Sequence, residues 1–299
     1  MIRSAAELLQ VLAAVAGAGF LAVSAGVHIT SSEERPRRPA RPAPPAARPS
    51  RPAPPPAVDP ASPPAPRGRT WTWSDEFDGT GPPAPGKWAI VTGDRGGWGG
   101  HGLVSYDAAH LGRDGRGHLV ITADHQTADT TCWYGPCSYG SGRIRSVTPV
   151  RYGRVAARIR FPTGAGVFPA FWLQTNGSEL RGPRYGEIDI GEIFGARPRQ
   201  VFSAAHHLDR VASHSTTLPG RVDRGFHTYA VDWTPARITW TIDGRPYGHL
   251  DRYKGWPFDQ PLTIIVNLQI GGAWQGSPPP STRFPARMTI DWIRALGTR

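Results

Sequence analysis

The chain has 299 residues, with 34 Lys and Arg against 23 Asp and Glu, for a formal net charge of +11. The excess is divided between residues 1–69, net +5, and residues 70–299, net +6, and no Lys/Arg run is interleaved with aromatics, so a solvated basic surface is expected and nucleic-acid binding is not. Two cysteines do not make a zinc site, and no Gly-rich loop joins a strand to a helix, which argues against nucleotide and redox cofactors.

Met1-Ile2-Arg3 is followed by an apolar stretch from about Leu8 to Val27, broken only by Gln10, small residues and Ser24. Val23-Ser24-Ala25 offers the small residues that signal peptidase requires. The stretch is also long enough to cross a bilayer uncleaved. Arginines flank it on both sides, so charge does not choose an orientation. Residues 1–30 are therefore expected to be a signal peptide or a membrane anchor. Either places the protein outside the cell or on the outer face of the cytoplasmic membrane.

Fourteen of the 32 prolines lie between Pro36 and Pro66, with Arg37, Arg38, Arg41, Arg48 and Arg51 among them. Such a segment buries too little apolar surface to offset its ordering entropy. Residues 31–69 are predicted to be an extended, disordered linker, which could adhere to an acidic wall or membrane surface. Residues 70–299 are one domain's worth of chain. In an exported protein, Cys132 and Cys137, with four residues between them in Cys-Trp-Tyr-Gly-Pro-Cys, read as a disulfide pinning a loop.

No segment beyond the linker keeps a helical apolar period for three turns. Alternating runs bounded by Gly, Pro, Asp and Asn recur instead, at Trp71–Phe77, His118–Asp124, Tyr152–Phe161, Phe202–His207, Phe226–Trp233 and Ala286–Arg294. Arg237–Asp243 alternates and then meets Gly244, a strong hairpin signal. Leu262–Ile270 is nearly continuous apolar residues, as expected for a strand covered on both faces. The pattern predicts an all-β sandwich or jelly roll.

The informative run is Tyr185-Gly-Glu-Ile-Asp-Ile-Gly-Glu-Ile-Phe-Gly195. On a regular strand Glu187 and Asp189 share a face, and Glu192 points the other way. One extra residue in a β-bulge returns Glu192 to that face, and Gly191 suits a bulge. The isoleucines then pack into the core. Three carboxylates on one face raise one another's pKa, which a structural protein has no use for. Glycoside hydrolysis needs it: one carboxylate attacks the anomeric carbon and another carboxyl protonates the leaving oxygen. The Glu187 and Glu192 Cα atoms would lie about 13 Å apart along the strand, a separation that inward-leaning side chains could narrow toward the retaining geometry. A solvated acidic edge or a calcium site is the alternative for such a cluster. Neither accounts for the alternation with isoleucine.

This run resembles the Glu-x-Asp-x-x-Glu signature of glycoside hydrolase family 16, in the bulged form of bacterial laminarinases. Further segments are similar in the same order, among them Trp73-Ser-Asp-Glu-Phe-Asp78, Ser141-Gly-Arg-Ile-Arg-Ser146, Phe168-Pro-Ala-Phe-Trp-Leu173, Asn267-Leu-Gln-Ile-Gly-Gly-Ala-Trp274 and Asp291-Trp-Ile-Arg294. The resemblance implies a concanavalin-like jelly roll of two antiparallel sheets with an open concave cleft. It implies Glu187 as nucleophile, Glu192 as acid/base and Asp189 between them. Trp172, His206, Trp274 and Trp98 would contact substrate. It also implies a structural calcium at Glu76, Gly117 and Asp291, with no cofactor for catalysis. The substrate would be a polysaccharide, β-1,3-glucan first, cut internally by a monomer. A galactan-active hydrolase, a transglycosylase and a non-catalytic glucan-binding lectin of the same fold are the alternatives. The stretch Trp98–Tyr106 lacks the Asn/Glu and Tyr-Tyr common in the family, and Phe168 replaces a frequent Trp. Both departures bear on the donor side of the cleft.

Overall fold

The computed structural model describes residues 70–98, 100–126, 130–175, 182–208 and 210–298. The expected export segment and linker, residues 1–69, lie outside them. Among the described residues no helix is long and apolar enough to cross a membrane.

The described chain is built from strands, with one short 3-10 turn at Ala108–His110. A seven-stranded sheet runs Arg210–Thr217, Gln200–His207, Glu187–Glu192, Val167–Thr175, Leu262–Ile270, Arg143–Ser146, Trp88–Ile90. A larger sheet has Arg245–Asp251, Arg237–Ile242, His227–Trp233, Arg151–Arg160, Ala286–Thr298 and Leu119–His125 as neighbours in that order. All these neighbouring pairs are antiparallel.

One hydrophobic cluster joins the two sheets. From the smaller sheet come Ile188, Ile190, Ile193, Val266 and Leu268; from the larger come Tyr229, Val231, Trp233, Trp240 and Ile290, all fully buried. Burial of each such side chain contributes roughly 1.5–3 kcal/mol. The isoleucines of the acidic run thus face inward, as their alternation predicts.

The predicted strands are present with modest shifts at their ends. Trp71–Phe77 narrows to Trp73–Asp75, and Leu262–Ile270 matches residue for residue and is buried throughout. The Asp243-Gly244 hairpin has both central residues at positive φ, +49° and +77°, as a primed two-residue turn requires. The Asp243 carboxylate also accepts from Thr228 N at 2.8 Å, tying the turn to the neighbouring strand. Cys132 and Cys137 form the expected disulfide.

Candidate active site

The strand Glu187–Glu192 lies between Val167–Thr175 and Gln200–His207. Gln174, Leu173 and Trp172 pair with Glu187, Ile188 and Asp189; the register then slips, and Phe171 and Ala170 pair with Gly191 and Glu192. The skipped residue is Ile190, so the bulge sits one residue earlier than the glycine suggests. Gly191 keeps an ordinary negative-φ backbone and serves close approach instead. A Cβ there would lie 3.0 Å from Tyr229 Cδ1 of the opposite sheet. Trp240, fully buried, donates its indole N–H to the Asp189 carbonyl at 2.8 Å and braces the bulge from the core side.

The bulge brings Glu187, Asp189 and Glu192 onto the face turned away from the core. Asp189 is almost wholly buried, at 2% exposure, and the two glutamates are partly buried. His206 pairs with Glu187 in the ladder, and its Nε2 lies 3.0 Å from Asp189 Oδ2. Glu187 accepts hydrogen bonds from the Tyr185 hydroxyl and from Gln174 Nε2, the latter at 3.2 Å. Glu192 accepts none from the described residues.

These environments separate the two glutamates. Burial pushes Glu187 up to about 7, with the Asp189 charge adding to it and His206, Tyr185 and Gln174 opposing. Burial, then the charges of Asp189 and Glu187, push Glu192 well above the usual carboxylate range, with only His206 opposing. Burial works against a charge on His206, but its hydrogen bond to Asp189 and the three surrounding carboxylates hold it at about 9. It is therefore an imidazolium at neutral pH. Ligand atoms of Glu187, Asp189 and His206 lie within 4.8 Å of one another. Within this cluster His206 pairs with Asp189, and Tyr185 and Gln174 both donate to Glu187 Oε2.

The predicted aromatics divide. Trp172 pairs with Asp189 and is fixed by a 2.8 Å hydrogen bond from its indole to Asn267 Oδ1. Trp98 is linked to the site through Arg143, whose guanidinium lies 4.4 Å from the Trp98 ring centre and 5.0 Å from that of Trp172, and through Tyr106, 5.5 Å from its ring. Arg95 lies 5.2 Å from the Trp98 centre as well. The Trp98 ring is thus engaged by cations. Trp274 is 47% exposed, its ring 6.1 Å from that of Phe168.

Tyr185, Gln174 and Arg143 are absent from the sequence-based set. Each had a signal. Tyr185 is two residues before Glu187, and Gln174 two after Trp172, so period two places them on the same faces. Arg143 alternates with the core residue Ile144.

The residues expected to hold calcium converge, and an arginine faces each of the two carboxylates. Trp73–Asp75 pairs with the strand carrying Asp291, and a Cβ on Gly117 would lie 3.8 Å from the Glu76 carbonyl oxygen. The Glu76 carboxylate, however, takes two hydrogen bonds from Arg294, at 2.9 and 2.7 Å, and Asp291 takes one from Arg158 at 2.5 Å. Arg294 thus engages both oxygens of Glu76, and Arg158 engages Oδ2 of Asp291.

A two-sheet all-β fold bearing graded carboxylates on its open face defines a glycoside hydrolase. The chain belongs to glycosyl hydrolases family 16, whose model matches residues 103–294. It is 36% identical to a beta-glucanase of Rhodothermus marinus, over 74% of this chain and 83% of that protein. It is 31% identical to a glucan endo-1,3-beta-glucosidase of Cryptopygus antarcticus, over 69% of this chain and 82% of that protein. The catalytic domain of an endo-1,3-beta-glucanase (laminarinase) from Thermotoga petrophila superposes with a TM-score of 0.70 at 31% identity, covering 75% of this chain and 96% of its own. Hydrolase membership with all three acids present sets the lectin alternative aside.

Proposed function

We propose that the chain is an endo-acting, retaining glucanase that cuts internal linkages of a β-1,3-glucan. The carrying observation is the contrast between Glu187, which accepts two hydrogen bonds, and Glu192, which accepts none from the described residues. The names of the Cryptopygus antarcticus relative and of the Thermotoga petrophila laminarinase support the substrate class.

Glu187, whose ionised form the Tyr185 and Gln174 donors favour, attacks C1 of the sugar. Glu192, held protonated by burial and by its anionic neighbours, gives its proton to the departing glycosidic oxygen. A glycosyl ester on Glu187 results. Glu192, now ionised, takes a proton from water as the water oxygen attacks C1, and Glu187 leaves as carboxylate. Two displacements restore the original configuration. Asp189 and His206 stay paired beneath both glutamates and hold the charge of the site steady. Trp172, its ring fixed by Asn267, offers an apolar face to a pyranose.

We read residues 1–30 as the export segment, 31–69 as the linker and 70–299 as a catalytic domain working as a monomer outside the cell. Product analysis tests the activity: laminarin, lichenan and agarose are incubated with the wild type and with Glu187→Gln. Short oligosaccharides from laminarin, absent with the variant, are expected. Turnover by Glu187→Gln close to wild type overturns the assignment of the nucleophile, and products from agarose alone overturn the substrate.

A further inference from the structure

Two tryptophans stand out among the described residues for exposure, Trp133 and Trp274, each at 47%. They flank the same short segment. The Trp274 ring packs on Gly100, where a Cβ would come within 3.0 Å of it. The Trp133 ring lies 5.0 Å from the ring of His101, the next residue. Gly102 in turn packs against Gln269, which a Cβ would approach to 3.1 Å. Gln269 belongs to the strand that also carries Asn267, the partner of Trp172, two residues away on the same face. Trp133 thus borders the segment that packs on Trp274 and on the strand carrying Asn267.

Trp133 is exposed yet held. Its indole N–H donates to Gly102 O at 3.0 Å, and its backbone N–H donates to Asp94 Oδ2 at 2.6 Å. The neighbouring Tyr134 hydroxyl donates to Leu103 O at 2.9 Å. Thr131–Cys132 pairs with Gly135–Pro136, and the buried Cys132–Cys137 disulfide closes this turn. Closing so short a loop removes little chain entropy from the unfolded state, so its main effect is local. It fixes a hairpin that grips the segment Asp94–Leu103 at both ends and holds a large ring out in water. The fold gains little from an exposed tryptophan, whereas a pre-positioned indole face suits the apolar C–H face of a pyranose.

We propose that Trp133 is an outlying sugar platform, on which a residue of the same glucan chain stacks beyond Trp274. The proposal rests on the glucanase reading above. It makes binding depend on chain length, because a short oligosaccharide filling the site does not reach Trp133.

The test compares KM and kcat of the full chain and its Trp133→Ala, Trp133→Phe and Trp133→Leu variants on laminarin and on laminaritriose. With Trp133→Ala, KM for laminarin is expected to rise roughly five- to tenfold at little-changed kcat, the mark of lost uniform binding. The rise on the trisaccharide should be several-fold smaller. Trp133→Phe, which keeps a ring, should restore most of the polymer affinity. An equal rise on both substrates, or none on laminarin, overturns the platform. Should the alanine variant fail to fold, the Phe and Leu pair decides: Leu keeps apolar bulk without a ring, and equal KM values for the two overturn the proposal. A wild type that cuts no β-1,3-glucan overturns the glucanase reading itself, which the wild-type assay shows before any variant is compared.

Discussion

His206 faces Glu187 across the antiparallel ladder and places its Nε2 3.0 Å from Asp189 Oδ2. A cation is thus set under three carboxylates, and it lowers the pKa of Glu187 and Glu192 alike. Without it both glutamates rise further. His206→Asn should therefore move the acid limb of kcat/KM to higher pH, since that limb reports protonation of the nucleophile in the free enzyme. A pH–rate profile checks this, and an unmoved or downward-moved acid limb contradicts it.

Glu192 shows the cost of this arrangement in stability. Its folded pKa is raised above the unfolded value of 4.5. In the unfolded chain the carboxyl ionises freely above pH 4.5, while in the fold it resists, so the site destabilises the fold increasingly as pH rises from there toward the folded pKa. Glu192→Gln removes that penalty. Its Tm relative to wild type should be higher at pH 8 than at pH 4.5, as thermal melts at the two values would show, while kcat falls on the order of 10²–10⁴-fold.

Gly191 has no positive φ to protect, so substitution acts by contact. In Gly191→Ala the new methyl meets the Tyr229 ring at 3.0 Å, and neither sheet can yield without moving the bulge. A loss of about 1–3 kcal/mol is expected in urea denaturation, together with a kcat lower than the stability loss explains. Tyr229→Leu should relieve part of both effects, because it removes the ring edge the methyl meets.

The paired arginines predict indifference to chelation. Arg294 holds Glu76 by two hydrogen bonds and Arg158 holds Asp291, so added EGTA should leave Tm unchanged. Arg294→Met should cost about 1 kcal/mol, the range for a good but partly exposed pair. If Arg294→Met is instead stabilised by calcium, the main-chain oxygens there form a cation site once the guanidinium is gone.

Much of the fold was legible because side-chain alternation is local. The period of two in Glu187–Glu192 is enough to send Ile188 inward and the acids outward, and a central strand such as Leu262–Ile270 declares itself by unbroken apolar residues. The Asp243-Gly244 turn was legible for the same reason, since its backbone needs only those two residues. The need for a bulge could also be derived, because five residues separate Glu187 from Glu192 and an odd spacing puts them on opposite faces.

What sequence left open depends on residues brought together from distant positions. Which residue bulges was decided by the fit of Gly191 under Tyr229 and by the Trp240 indole on the Asp189 carbonyl, and local spacing does not carry that packing. The different protonation of Glu187 and Glu192 comes from burial and from what faces each of them, including His206 on the next strand. That Arg143 and Arg95 lie against the Trp98 ring, and that Arg294 and Arg158 pair with Glu76 and Asp291, could not be read from local spacing. Sequence alone determined the strands, the hydrolase signature and the carboxylates on one face, because those follow from neighbours along the chain. Tertiary structure decided which charges are neutralised and which aromatic faces stay open, because electrostatic and stacking interactions act through space over a few ångströms, whatever the separation in sequence.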